Sequence, residues 1–324
     1  MHSIFFQLSI APWVNNRVDA FVQSYGDAFH DFSILLLRDV LVPLEGALRA
    51  CPPWLFLLGA GMLGWHASRK LGAALLFVVL LYAIGCFGLW EKLMQTFALM
   101  LVATLISVLL GIPLGILCAA SARLRRFLLP ILDVMQTLPS FVYLIPVLML
   151  FGLGQVPAIF ATVIYALPPL IRLTDLGIRY VDAEIVEAAR AFGATRMQLL
   201  FNVQLPLARP SIMAGINQTT MMALSMVVIA SMIGSRGLGE DVLAGIQTLD
   251  VGKGTQAGIA IVILAIVIDR ISQGYGLDRR QRRSLAHQSR GKWLSRIPFR
   301  SLLPGTDGIG EPANPSKLAE QRVE

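Results

Sequence analysis

The sequence predicts an all-α membrane protein, a polytopic bundle of about seven transmembrane helices with a polar cytoplasmic loop set into it. Three observations carry this. Apolar residues make up 56% of the chain and charged residues only 15%, where a soluble domain has about a quarter charged. The apolar residues gather into long runs, at about 52–67, 71–90, 93–120, 127–153, 155–177, 206–234 and 257–276, and a bilayer core of about 30 Å takes about 20 helical residues. The basic residues fall in alternate loops between those runs, as they do where a chain keeps Lys and Arg on its cytoplasmic side.

The elements follow in order. Residues 1–50 read as an extracytoplasmic amphipathic segment. Val18, Phe21, Val22, Tyr25, Phe29 and Phe32 share one helix face, with Asp19, Asp27 and Asp31 elsewhere on the wheel. Such a helix lies in a membrane interface or packs on the bundle, and the spacing leaves both open. No Lys or Arg precedes the first apolar residues, so a cleaved signal peptide is not expected. Residues 51–276 form the membrane domain. Its first run is the shortest. Its fourth holds Pro139 and Pro146 and its fifth Pro168-Pro169, so both should kink or break where proline removes a donor.

Arg69-Lys70, the group Arg123, Arg125 and Arg126, the stretch from Arg172 to Arg209, and the arginines at 279–283 all fall on one side if the runs alternate. That side is the cytoplasmic one. With seven spans and the C-terminus inside, the N-terminus lies outside; without the first span it moves inside. Residues 277–324 are a basic, partly disordered cytoplasmic tail, rich in Gly, Pro and Ser toward its end. Its basic start is a topology anchor or a contact for anionic lipid head groups.

Several kinds of chemistry have no support. VGKGT at 251–255 lacks the upstream Gly and the Ser or Thr of a phosphate-cradling loop. The four histidines are isolated, and no GxSxG occurs. Cys51, Cys86 and Cys118 lie far apart and read as small core residues, not as a disulfide framework or metal cluster. The charge of +7 belongs to loops and tail and is no sign of nucleic-acid binding. Asp133, Arg172, Asp175, Asp269 and Arg270 lie toward the cytoplasmic ends of their runs, where they are expected to be paired or solvated. Ion-coupled secondary transport, which uses buried charges, is therefore disfavoured, and so is a membrane-embedded enzyme.

The stretch EAARAFGATRMQLLFNVQLPLARP, 187–210, interrupts this apolar chain. Asp182 can cap a helix whose positive end faces Glu184 and Glu187. Ile185, Ala188, Ala189 and Phe192 form its apolar face. Gly193 ends it, since the residue after a helix favours the left-handed conformation. Thr195 to Gln198 has the form of a capping box, so a second helix starts there, with Met197, Leu200 and Phe201 on its apolar side. Leu205-Pro206 closes that helix. The expectation is two short helices at an angle, at about 179–206, exposing a surface suited to a partner's groove.

Glu187-Ala188-Ala189, three residues, Gly193, nine residues, Val203, one residue and Leu205-Pro206 resemble the EAA signature of binding-protein-dependent ABC importer permeases. Val203 stands where that pattern usually has Ile. LDVMQTLPSFVYLIPVLMLFGLG (132–154), ALPPLIRLTDLGI (166–178), QLPLARPSIMAGINQTTMMALSMVVIASMIG (204–234) and IVILAIVIDR (261–270) are similar to the glycine betaine/proline betaine and choline permeases of that family. The resemblance spans roughly 45–276.

It implies a permease subunit, not an enzyme, in a bacterial inner membrane, with no cofactor of its own. ATP is bound by a separate cytoplasmic ABC ATPase whose cleft seats the loop as a coupling helix. It further implies an extracytoplasmic substrate-binding protein and a homodimer of permease subunits. The cargo is a compatible solute such as glycine betaine, proline betaine or choline, with carnitine, proline or histidine as alternatives. Glu187, Ala188, Ala189, Gly193, Val203, Leu205 and Pro206 become the coupling residues. Glu187 either meets the motor or offsets its own helix dipole. Candidate pathway residues are Gln136, Thr137, Ser140 and Tyr143 in the fourth run and Asn217, Gln218, Thr219, Thr220 and Ser225 in the sixth. Polar groups of these kinds line a pore or bond helix to helix. Quaternary ammonium binds aromatic faces, and that cage is expected on the binding protein. Segment 234–256 is where the binding protein would land.

Overall fold

The computed structural model describes residues 11–276. The basic tail, including Arg279, Arg280, Arg282 and Arg283, lies outside the described residues. So do the first ten residues.

Every apolar run is helical, and no described residue is in a strand. The chain opens with α1 (Ala11–Leu35), which passes through a π turn (Leu36–Leu41) into α2 (Val42–Ala50). A hairpin follows, α3 (Pro53–Ser68) and α4 (Leu71–Cys86). Then come α5 (Trp90–Ala120) and α6 (Ala122–Thr137), which a short 3-10 turn (Ser140–Tyr143) joins to α7 (Leu144–Phe151). The long α8 (Gln155–Arg179) leads to the polar loop, with α9 (Ala183–Ala191) and the single turn α10 (Arg196–Gln198). A second π turn (Leu199–Gln204) runs into α11 (Leu205–Ala230), and α12 (Leu238–Thr248) and α13 (Val251–Gly276) complete the described chain.

Four of these stretches are long and apolar enough to cross a membrane: Trp90–Ala120, Gln155–Arg179, Arg196–Ile233 and Val251–Tyr275. The α6–α7 pair, bent by 111°, makes a fifth if counted as one broken span. The first two runs give helices of 16 residues each. At 1.5 Å per residue these reach about 24 Å, short of a 30 Å core unless the bilayer thins around them.

The centre of the bundle is α5, α8 and α11. Ala98, Ala103, Ala158, Ala161, Ala166 and Ala223 are fully buried there. Small residues let backbones approach, which is how helices bind one another where lipid is as apolar as the helix. Gly115 marks the tightest approach: a Cβ on it would lie 2.5 Å from the Thr174 Cβ and 2.9 Å from the Ile171 carbonyl.

Proline acts differently in the two runs where it was expected to break the helix. In the fourth run, Leu138 and Pro139 are extended and separate α6 from α7. Pro146 falls in the first turn of α7, where no helical donor is needed. In the fifth, Pro168 and Pro169 are buried inside an unbroken α8. α5 and α11 pack on it and the helix continues, as bundles allow around spanning prolines.

The N-terminal segment is a long arm. Phe29 meets Phe151 edge-on at 5.5 Å, and Phe32 lies 5.9 Å from Phe160. The end of α1 therefore packs on the bundle, while Phe21 and Tyr25 on the same face stay exposed.

Candidate functional site

The loop after α8 is built from local caps. The Asp182 carboxylate accepts the Glu184 N–H at 3.0 Å and starts α9. Gly193, at φ +82°, ends it, and the Gly193 and Ala194 amides close on the Arg190 and Ala189 carbonyls at 2.9 and 3.1 Å. The Thr195 N–H donates to the Gln198 side-chain oxygen at 2.9 Å, and the Gln198 N–H to the Thr195 hydroxyl at 3.3 Å. This reciprocal box starts the next helix.

That helix does not end at Leu205-Pro206 as expected. It passes through the π turn and continues as one 38-residue helix, Arg196–Ile233. Pro206 sits in the first turn of α11, directly after the π turn. The wider turn makes room for a ring that would clash in a regular helix. The loop thus presents one short helix, α9, and the free end of a long one.

The signature residues divide by exposure. Glu187, Ala188 and Gly193 face outward, and so does Pro206. Ala189, Val203 and Leu205 are half-buried against the bundle; Leu205 packs on the cluster of Ile178, Ala208 and Ile212. Around the exposed set stand Phe192, at 93% exposure, with Met197 and Phe201. Phe192, which the periodicity puts on the apolar face of α9, is the most exposed large apolar side chain of the loop.

The candidate pathway residues also divide. The Asn217 amide donates to Asp269 on α13 at 2.9 Å and accepts from the Ser272 hydroxyl. The Thr219 hydroxyl donates to the Ala166 carbonyl on α8 at 2.9 Å, and Thr220 bonds back to the Ile216 carbonyl within α11. These three bond helix to helix or within a helix. Gln218 and Ser225 are exposed on α11, seven residues apart and so on one stripe. Gln136 and Thr137 are exposed at the end of α6, and Ser140 is half-buried in the break. Tyr143 is buried, its hydroxyl bonded to the Met135 carbonyl across the break.

Of the five charges singled out near the basic end, Asp133, Arg172, Asp175 and Asp269 have polar partners and Arg270 is exposed. Arg125 Nε lies 2.9 Å from the buried Asp175 carboxylate, Arg172 bonds Asp133, and Asp269 also accepts from Gln273 at 2.7 Å. At the opposite end, segment 234–256 holds α12. Its buried Asp241 carboxylate receives Lys92 at 2.5 Å and Lys253 at 3.5 Å. The Leu238 N–H donates to the buried Thr96 hydroxyl at 2.8 Å. Nothing in the local sequence signals these contacts.

A helical bundle with a capped polar loop between two long spans fits a transport permease. The chain belongs to the family of binding-protein-dependent transport system inner membrane components, whose model matches residues 111–282. The glycine betaine/proline betaine transport system permease protein ProW of Escherichia coli (strain K12) is 47% identical over 275 residues, covering 85% of this chain and 77% of that one. The glycine betaine transport system permease protein OpuAB of Bacillus subtilis (strain 168) is 42% identical over 276 residues, covering 85% and 97%. The glycine betaine/carnitine transport permease protein GbuB of Listeria monocytogenes is 44% identical over 272 residues, covering 83% and 95%. An inward-facing structure of the MetNI methionine ABC transporter shares the fold at a TM-score of 0.51 and 23% identity, covering 59% of this chain and 93% of that one.

Proposed function

We propose that this chain is the transmembrane permease of an ATP-driven, binding-protein-dependent importer for compatible solutes of the glycine betaine, proline betaine and choline type. One observation carries the cargo class: relatives at 42–47% identity across 83–85% of the chain are named for glycine betaine transport. The chain is the conduit and has no nucleotide site of its own. A separate cytoplasmic ATPase binds ATP, and its cleft receives α9 through Glu187, Ala188 and the exposed Phe192. Gly193 sets the angle at which that surface is offered.

Two copies of the chain assemble in a bacterial inner membrane, with the loop and the C-terminus on the cytoplasmic side. Gln218 and Ser225 support this. The Ser225 hydroxyl bonds back to the Met221 carbonyl at 3.1 Å, but an exposed amide such as that of Gln218 is costly against lipid, so a second copy and the path between the copies suit that stripe. The binding protein delivers cargo at the opposite end, near α12. Closure of the ATPase pair moves the two loops, and the bundle rocks between inward- and outward-facing states.

The test is uptake of labelled glycine betaine into cells expressing the chain with its cognate ATPase and binding protein. Unlabelled choline, proline betaine, carnitine, proline and histidine serve as competitors, before and after ATP depletion. Uptake should require ATP and be competed by quaternary amines. Uptake that survives ATP depletion and stops with an uncoupler would overturn the proposal in favour of ion-coupled transport.

A further inference from the structure

The α6–α7 break brings together groups far apart in sequence. α6 ends at Thr137, and Leu138 and Pro139 are extended before the chain turns through 111° into α7. A helix ending inside a span points its carbonyls, with about half a negative charge, into the break. Two aromatic rings adjoin the break, one bonded to α6 and the second beside the first. Tyr143 is held by its hydroxyl on the Met135 carbonyl. Its ring is 6.3 Å from that of Tyr165, tilted by 55°. Tyr165 is half-buried near the middle of the 25-residue α8. The Thr219 bond to Ala166 sets Gln218 of α11 level with it. Gln136 and Ser140 bring an amide and a hydroxyl to the same break.

Partial negative charge and aromatic faces attract a cation that cannot itself donate a hydrogen bond, and this describes a quaternary ammonium. The amide and hydroxyl suit the carboxylate of a zwitterion. We infer that the α6–α7 break is a cargo station within the permease, where Tyr165 and the α6 C-terminus receive the quaternary ammonium head and the buried Tyr143 holds the break and the Tyr165 ring in place. The inference rests on the cargo class proposed above. It differs from the expectation that aromatic recognition belongs to the binding protein alone. Attraction of this kind, without strong donors, holds the cargo weakly enough to leave.

The experiment uses the complex of this chain with its cognate ATPase in nanodiscs, without the binding protein. Binding of labelled glycine betaine is measured directly. Unlabelled betaine should displace the label, whereas 3,3-dimethylbutyrate, with carbon in place of the charged nitrogen, should not. Tyr165→Leu should weaken binding by roughly ten-fold, and Tyr165→Phe, which keeps the ring, should restore it relative to Leu. Equal competition by the neutral isostere, or Leu binding as tightly as wild type, overturns the station. If Tyr165→Leu does not assemble with the ATPase, isostere competition on the wild-type complex decides alone. The same preparation with binding protein and ATP is then tested for betaine import. Failure of wild-type import overturns the proposed function; import with no such binding overturns only the station.

Discussion

Substitution at Gly193 isolates the loop from the bundle. The residue sits at φ +82°, and a Cβ built there meets nothing within 4 Å. The cost of a side chain is therefore backbone strain alone, with no steric clash added. For Ala that is about 1–2 kcal/mol, for Asn less because its side chain tolerates the left-handed region, and for Val more. About 1–2 kcal/mol shifts an equilibrium by about 5–30-fold. The loop is exposed, so the strain is relieved by re-aiming α9 against Arg196–Ile233, and the core of α5, α8 and α11 is left alone. Uptake should fall in the order Gly, Asn, Ala, Val, with Ala down by about 5–30-fold, at unchanged membrane abundance. Gly193→Asp tolerates the turn as Asn does and should insert normally; a loss of uptake beyond that of Asn would come from the negative charge it adds to the surface offered to the ATPase. Abundance is read by immunoblot, uptake with labelled betaine, and ATPase seating by co-purification. Val transporting like Gly at equal abundance would refute the claim that the left-handed turn sets the loop's angle.

Other substitutions test the bundle. Arg125→Ala leaves the buried Asp175 carboxylate without its partner; a loss of about 2 kcal/mol is expected, below the usual cost for a fully buried pair because Arg125 is a third exposed. Asp175→Asn should cost less than Arg125→Ala, and thermal melting of the detergent-purified chain compares the two. Thr96→Val removes the acceptor for the buried Leu238 N–H, at about 1–3 kcal/mol; faster amide exchange across 238–245 would report it. Gly115→Ala drives a Cβ into Thr174 and the Ile171 carbonyl, whereas Gly72→Ala meets nothing within 4 Å. The first should lower the yield of folded protein and the second should not.

What was legible in the sequence was local. Asp182, Gly193 and the Thr195–Gln198 box each act within one turn of chain, and each does in the structure what its residue type implies. Pro139 breaks its run, with Leu138 and Pro139 both extended. Pro168-Pro169 reads the same way locally and does not, because burial between core helices holds α8 together. The continuation of the loop helix into α11 depends on a π turn, which has no sequence signature of its own. α12 is fixed by Lys92 and Thr96, more than a hundred residues away in sequence. The Tyr143–Tyr165 pair likewise forms only once α6 has broken. Among the pathway candidates, composition could not separate Asn217 and Thr219, which bond between helices, from Gln218 and Ser225, which do not.

The unbroken helix Arg196–Ile233 changes how the loop relates to the rest of the chain. Its 38 residues span about 57 Å, nearly twice a bilayer core. Two short helices closing at Pro206 would have left a joint where movement of the loop could be absorbed. Instead the Thr195 cap stands at one end of a helix that runs on through the π turn and past Pro206 and Pro210 to Ile233. At the other end Gly234, at φ +86°, turns the chain into α12, and Asp241 and Leu238 fasten α12 to α5 and α13. A continuous hydrogen-bonded helix carries displacement along its own length, with bending concentrated at the π turn and the two prolines. On the proposed mechanism, a tilt imposed at the loop therefore reaches the far end without passing through side-chain relays. The two ends have opposite requirements: the loop must stay exposed to be gripped, while the far end must stay fastened until the tilt loads it. Exposed Glu187 and Phe192 at one end and buried Asp241 and Thr96 at the other meet those requirements.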